Sequence, residues 1–422
     1  MPIRYRMEFM TQFWRNSVAL SSDTMNKLCI GTLAVSRYHQ LRRYFPVNDT
    51  PDYLDHDFPV GNGYKITPVG YMFLQPDKPS ELTRDERGDY HFSFPRTGPL
   101  YMVNRVQKQS PLTIECHVND LLTILKEEVS QGKTMVTLLT DNGPDWNVKS
   151  WTVLFFVLRI FKELNLDYSC LTSYAPGQSA YNPIEHAWSP LSRKLSGVTF
   201  PACAEGETVP PCNQTGLSEV EVAEKEKVIF TNAIESLNHF WNDMEFDGFP
   251  VRSSGVSTEQ KFNDYELIHN LLSKGSKSMF RDHPDVLEGL RFISVHGDRQ
   301  PGEFSIRKCT SRLCDYCLAH PIKATEALGL LESIGGVPNP FPNGSIDGAF
   351  ASYMEAAQVQ RVPSSVNLPP TKTSFLGSCS KCSGYMYMSR VDKLRHDAIV
   401  HGSHKRTQPK LNIRSPSKVS RR

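Results

Sequence analysis

No apolar run in the 422-residue chain approaches the ~20 residues that a bilayer-spanning helix needs. The greasiest stretch, residues 151–161, is about half that length and carries Arg159, so it reads as a buried helix. The N-terminus, Met-Pro-Ile-Arg-Tyr-Arg, lacks the apolar core of a secretory signal. Internal repeats are absent, which excludes solenoids and propellers. From Gly402 to Arg422 there is no acidic residue against seven Lys and Arg. The other 401 residues carry 40 basic and 45 acidic side chains, so a mildly acidic body ends in a strongly basic tail. Such a tail suits phosphate backbones or nuclear import, or is simply a solvated terminus.

What is present describes a globular protein. Hydrophobic residues make up 39% and charged residues 22%, too apolar for a disordered chain and too polar for a membrane protein. The length allows one large domain with satellites, or two to three ordinary ones. Several of the ten cysteines sit in Cys-x2-Cys pairs, which favours metal binding in a reducing compartment over disulfides.

Residues 16–22 read as a short strand ending at Asp23, with further strands near 27–35, 65–74 and 99–107. The Pro-rich stretches 46–63 and 76–97 read as loops. Ser110-Pro111 signals a helix start, and Ile114, Val118, Leu121, Leu122, Leu125 and Val129 keep helical spacing until Gly132. A buried strand over 134–140 ends at Asp141. A helix over 148–164, a strand over 167–171 and a helix from Asn182-Pro183 to about 196, containing Glu185, follow. This order predicts an α/β fold with a mixed sheet. Residues 218–300 read as a helical region and 335–373 as a linker.

Two Asp residues at strand ends and one Glu on a later helix are the candidate chemistry. Strand tips hold side chains at fixed separation while leaving them open to solvent. Carboxylates so held could bridge two hard cations, Mg²⁺ or Mn²⁺, for phosphodiester chemistry. The segments Thr140-Asp-Asn-Gly-Pro-Asp-Trp146 and Asn182-Pro-Ile-Glu185 resemble the integrase-core transposases, the second matching the Asn-Pro-x-Glu signature of mariner-like enzymes. Leu20-Ser-Ser-Asp-Thr-Met-Asn-Lys27 is similar to their first-strand motif. The resemblance covers residues 16–197, with 43 residues between Asp141 and Glu185, slightly more than is usual in that superfamily. It implies a ribonuclease H-like five-stranded mixed sheet flanked by helices, with Asp23, Asp141 and Glu185 as catalytic ligands of two Mg²⁺ ions, and DNA as partner. The alternative is a catalytically silent descendant that binds nucleic acid or protein. No helix-turn-helix domain precedes the core, so DNA reading would fall to the C-terminal modules or to an upstream part.

Other residues in these motifs read as structural. Asp145 reads as a cap for the following helix, His186 and Trp188 as structural positions, and Lys27, Arg193 and Lys194 as exposed side chains able to meet phosphate.

Residues 375–404 are close to a Cys2His2 zinc finger: Cys379 and Cys382, then 13 residues to His396, then four to His401, with His404 as a substitute ligand. Upstream, residues 305–322 hold Cys309, Cys314 and Cys317, a three-thiolate partial zinc site whose fourth ligand is His320 or His296. Cys203 and Cys212 form a weaker pair, and Cys29, Cys116 and Cys170 read as inert core residues. The expected cofactors are therefore Zn²⁺ with Mg²⁺ or Mn²⁺, with no organic cofactor and no membrane. A nuclear location and a homo-oligomer are compatible with this reading.

Overall fold

The computed structural model describes residues 2–32, 34, 63–74, 81–84, 90–93, 96–106, 112–174, 177–257, 260–274, 279–300 and 302–333. It also describes positions 353, 355, 379, 381, 393, 394, 396–398 and 401. The linker apart from 353 and 355, Cys382, His404 and the basic tail 402–422 lie outside the described residues.

The chain opens with helix α1 (Pro2–Gln12), then strands β1 (Ser17–Thr24), β2 (Leu28–Cys29), β3 (Lys65–Leu74), β4 (Glu81–Arg84), β5 (Tyr90–Ser93) and β6 (Leu100–Val106). Helices α2 (Ile114–Ile124) and α3 (Lys126–Ser130) lead to β7 (Met135–Thr140), α4 (Trp151–Glu163), β8 (Tyr168–Ser173) and α5 (Glu185–Lys194). The remainder is α6 (Glu219–Asn242), β9 (Glu245–Phe246), β10 (Phe249–Gly255), α7 (Tyr265–Lys274), α8 (Pro284–His296), β11 (Gly297–Gln300), β12 (Glu303–Arg307), α9 (Asp315–Ala319) and α10 (Thr325–Ser333).

The architecture is α/β around one mixed sheet of order β11-β12-β8-β7-β1-β3-β6-β10-β9, with β2 pairing to β3. At its centre β1 and β3 are antiparallel, β3 and β6 antiparallel, β1 and β7 parallel, and β7 and β8 parallel. The alternation of side chains along a strand explains why both faces need cover. Val18 and Leu20 of β1, Val136 and Leu138 of β7, and Val69, Tyr71 and Phe73 of β3 face one core, shared with α2, α4, α7 and α8. Ala19, Leu139, Met72 and Leu74 face the other, closed by α5 and α6. A third cluster seats α1 and α10 against the start of β7 and β8.

Strands form at the positions expected over 16–22, 65–74, 99–107, 134–140 and 167–171, but among the described residues the sheet has ten strands and does not stop at residue 197. The stretch 218–300 is helical only in part, because β10 pairs with β6 on one edge while β11 and β12 extend the other beyond β8. Strand β10 shows why its pattern is weak: its burial alternates with Arg252 and Ser254 exposed, at an edge that needs only one apolar face. The helix expected from Ser110 begins three residues after Pro111 instead. Thr113 holds the N-cap position and β-region dihedrals, while 110 and 111 lie outside the described residues. Of the strand expected over 27–35, only Leu28–Cys29 forms within the described residues. The Ser218–Glu221 capping box starts α6 where expected, satisfying two orphan N-terminal donors reciprocally. The hairpin of β4 and β5 and helix α1 were not legible in the sequence.

Candidate metal centres

The three acidic residues singled out in the sequence lie at one end of the sheet, Asp141 and Glu185 each acting on Asp23, while among the described residues the donor groups that gather within 4.8 Å of one another are the two sulfur–imidazole clusters below. Parallel pairing of β1 with β7 sets Ser21 against Leu139, and the same register carried on two residues brings Asp23 level with Asp141. Asp141 follows the last residue of β7 and closes a tight turn, its Oδ1 accepting from Gly143 N at 2.8 Å while Asn142 takes φ 66°. Glu185 is the first residue of α5, where the helix dipole tolerates negative charge. Its side chain shares a hydrogen bond with Asp23.

Placing Glu185 there depends on a clamp. Asn182 is fully buried: its Oδ1 accepts from Ser21 Oγ at 2.6 Å, and its Nδ2 donates to Ser22 O at 3.2 Å. Ser21 Oγ in turn accepts from Ile184 N at 3.0 Å. The Asn-Pro-Ile-Glu word is thus a fastening of α5 onto the strand that carries Asp23. On the other side of β1, Asp23 pairs with Gly70 of β3. A Cβ at Gly70 would fall 2.6 Å from Trp188 Cη2 and 2.7 Å from Ile184 Cδ1. The glycine is needed so that α5 can press against β3. Trp188 is therefore packing, as expected, while His186, Arg193, Lys194 and Lys27 are exposed.

We expect Asn182→Ala to strip two buried β1 groups of their partners and to cost about 1–3 kcal/mol. Urea unfolding measures it; an unchanged midpoint would mean that the clamp contributes nothing.

The electrostatics follow from burial and from the neighbouring carboxylates. Burial first and then the charge of Asp141, with lesser contributions from the hydrogen bond and charge of Glu185, push the Asp23 carboxyl up to about 8, although the Thr24 amide lowers it.

Asp145 is not the helix cap expected of it. The N-cap of α4 is Ser150, five residues on, and Asp145 instead accepts from His117 Nε2 at 2.7 Å. His117 is fully buried on α2, and its Nδ1 lies 2.9 Å from Tyr71 OH. That hydroxyl donates to Asp120 Oδ2 at 2.7 Å, and Asp120 pairs with Arg105. Burial raises Asp145, but the hydrogen bond and charge of His117 outweigh it and hold the carboxyl below its ordinary value. Asp145 Oδ1 and both Asp141 oxygens flank Gly143 at 3.0–3.2 Å from where its Cβ would stand. This buried chain fixes the turn behind Asp141. Its links span from 15 to 49 residues of sequence, so no local pattern could reveal it.

Two sulfur–imidazole clusters complete the set. One holds Cys379, His396 and His401, with Asp397 beside them. Cys379 Sγ is 3.1 Å from His401 Nε2, and the two histidine Nε2 atoms are 3.1 Å apart. The fourth expected ligand, Cys382, lies outside the described residues. The other cluster is a buried one of His296, Cys309, Cys314 and Cys317, and it could hold zinc. Its imidazole is His296, not His320. His320 follows the short helix α9, where its Nδ1 lies 3.0 Å from Tyr316 O and its ring stacks on Tyr316 at 4.5 Å. Cys203 and Cys212 belong to neither cluster.

No protein-family model matches the chain, and no curated protein or solved structure matches it either. Among the described residues no helix is long and apolar enough to cross a membrane.

Proposed function

We propose that this chain contains a DDE-type polynucleotidyl transferase core: a ribonuclease H-like unit that cuts or joins DNA through Asp23, Asp141 and Glu185. More particularly, it is a transposon-derived protein of the integrase-core kind, working on DNA in the nucleus. The observation that supports the reading is that Asp141 and Glu185, the latter 162 residues away in sequence, both act on Asp23 at one end of parallel strands. Three antiparallel strands followed by two parallel ones, joined through helices, support the ribonuclease H-like assignment.

Mg²⁺ or Mn²⁺ bound there would supply an activated oxygen nucleophile and a Lewis acid for the leaving oxygen. The chain's own part is positional. Asp23 and Asp141 would grip from two rigid strand tips, and Glu185 would close the site from α5, held by Asn182 and Ser21. Exposed Lys27, Arg193 and Lys194 border the same motifs and suit a phosphate backbone. The Cys379–His396–His401 cluster and the basic tail suit a second, zinc-supported contact with DNA.

The test is nicking or strand transfer on plasmid DNA with Mg²⁺ or Mn²⁺, comparing the intact chain with Asp141→Ala. Loss of a metal's second-shell partner alone typically costs about 10–100-fold, so loss of a ligand should cost at least that. Cleavage that survives the substitution, or a complete lack of metal-dependent cleavage on supercoiled and end-containing DNA, overturns the catalytic reading and leaves a binding protein.

A further inference from the structure

We infer that His296, Cys309, Cys314 and Cys317 form a four-coordinate structural zinc centre that clasps the β11–β12 edge of the sheet to α8. The inference is independent of the carboxylate site and stands whether or not that site acts on DNA.

The donor atoms already surround one point. One ligand atom from each of the four residues lies within 4.8 Å of the others. His296 Nε2 is 3.3 Å from Cys314 Sγ and 3.5 Å from Cys317 Sγ. Three soft thiolates and one imidazole are a zinc set, and four protein ligands leave no open position for substrate.

The surroundings match the second shell of such a centre. His296 Nδ1 is 3.2 Å from Phe292 O, one helical turn back, which fixes that nitrogen as the donor and leaves Nε2 lone-paired toward the sulfurs. The ring also stacks on Phe292, with centroids 3.8 Å apart and planes at 9°. Cys317 Sγ accepts from Cys309 N at 3.3 Å, a bond suited to a thiolate. The ligands come from three separate elements: the last residue of α8, the segment after β12, and α9 with its N-cap.

Location assigns the role. Strands β7 and β8 run in parallel, from the Met135–Tyr168 pair to the Thr140–Ser173 pair that precedes Asp141. Strand β12 runs the other way, with Arg307 beside Tyr168, so Cys309 lies at the opposite strand end from Asp141. Six residues of strand separate the two ends by about 20 Å. Zinc there cannot share the carboxylates' chemistry. It joins the end of α8 to the segment after β12 and to α9.

The experiment uses the full chain as purified. Zinc content is measured per chain, and cysteine alkylation is mapped by mass spectrometry with and without chelator. Cys309, Cys314 and Cys317 should resist alkylation together, and chelator should expose all three together as metal is released. His296→Ala should lower bound zinc by about one equivalent, and His320→Ala by none. Co²⁺ exchanged into the chain should show thiolate charge-transfer and tetrahedral d–d bands that His296→Ala diminishes. If His296→Ala fails to fold, wild-type alkylation and His320→Ala still decide. Equal alkylation of the three cysteines with and without chelator overturns the proposal, as does zinc lost on replacing His320.

Discussion

Replacing Lys308 by Ala is expected to destabilise the protein by about 3–5 kcal/mol, because it leaves a charge buried without its counterion. Lys308 Nζ meets Asp167 Oδ1 at 2.8 Å, and neither side chain reaches solvent. The other oxygen, Asp167 Oδ2, accepts from Thr134 Oγ1 at 2.8 Å, Lys323 N at 2.8 Å and Ala324 N at 2.7 Å. One carboxylate therefore ties the starts of β7 and β8 to the start of α10, and Lys308 adds the segment leading to Cys309. Truncating Lys308 removes the only cation in that set, and the remaining donors are neutral. Urea unfolding at neutral pH measures the loss as a drop in midpoint at unchanged slope. The paired change Lys308→Met with Asp167→Asn should recover part of it, since no charge is then stranded. A loss below about 1 kcal/mol, as for exposed pairs, would show that water reaches this site in solution.

The second large effect concerns pH. Burial, with the charge of Asp141 next, lifts Asp23 from 3.8 to about 8, so the folded chain holds a proton that the unfolded chain has released across that window. The stabilisation this group contributes is complete below about pH 4 and is lost as pH rises through about 8. Metal-free protein should therefore lose stability from this group over that range, and Asp23→Asn should remove the trend. A divalent cation bound there as proposed would have to displace the proton, so its affinity should rise by about tenfold per pH unit until the carboxyl is ionised. Calorimetric titration of Mg²⁺ or Mn²⁺ at several pH values measures the slope. An affinity that is flat between pH 5 and 8 would contradict the crowded geometry.

How much of this could be read in advance varies with how local its cause is. Strands β3 and β7 were legible because burial on both faces demands a continuous apolar run, and residues 65–74 and 134–140 supply it. Strands β10, β11 and β12, near the two sides of the sheet, were not, since β10 alternates its burial with Arg252 exposed and β11 carries the charged Asp298 and Arg299. Arg299 is in fact buried, donating to the carbonyls of Val148 at 3.0 Å and Lys149 at 2.8 Å, a pairing across 150 residues that no window of sequence contains.

The candidate sites divide in the same way. Asp23, Asp141 and Glu185 were singled out because two follow strands, one lies on a helix, and the words around them resemble the integrase-core transposases. Cys309, Cys314 and Cys317 were nameable from spacing alone. Spacing could not choose between His320, three residues beyond the last cysteine, and His296, which stands 13 residues before the first. The tertiary structure chose His296, because the end of α8 delivers its Nε2 to the sulfurs while Tyr316 occupies His320. Likewise Gly70, Asn182 and His117 acquire their roles only through partners brought near by the sheet. Sequence by itself determined which residues carry reactive chemistry and which stretches must be buried, since both follow from side-chain type and period. Which of them meet was decided by strand register and helix packing, which are set by the whole chain at once.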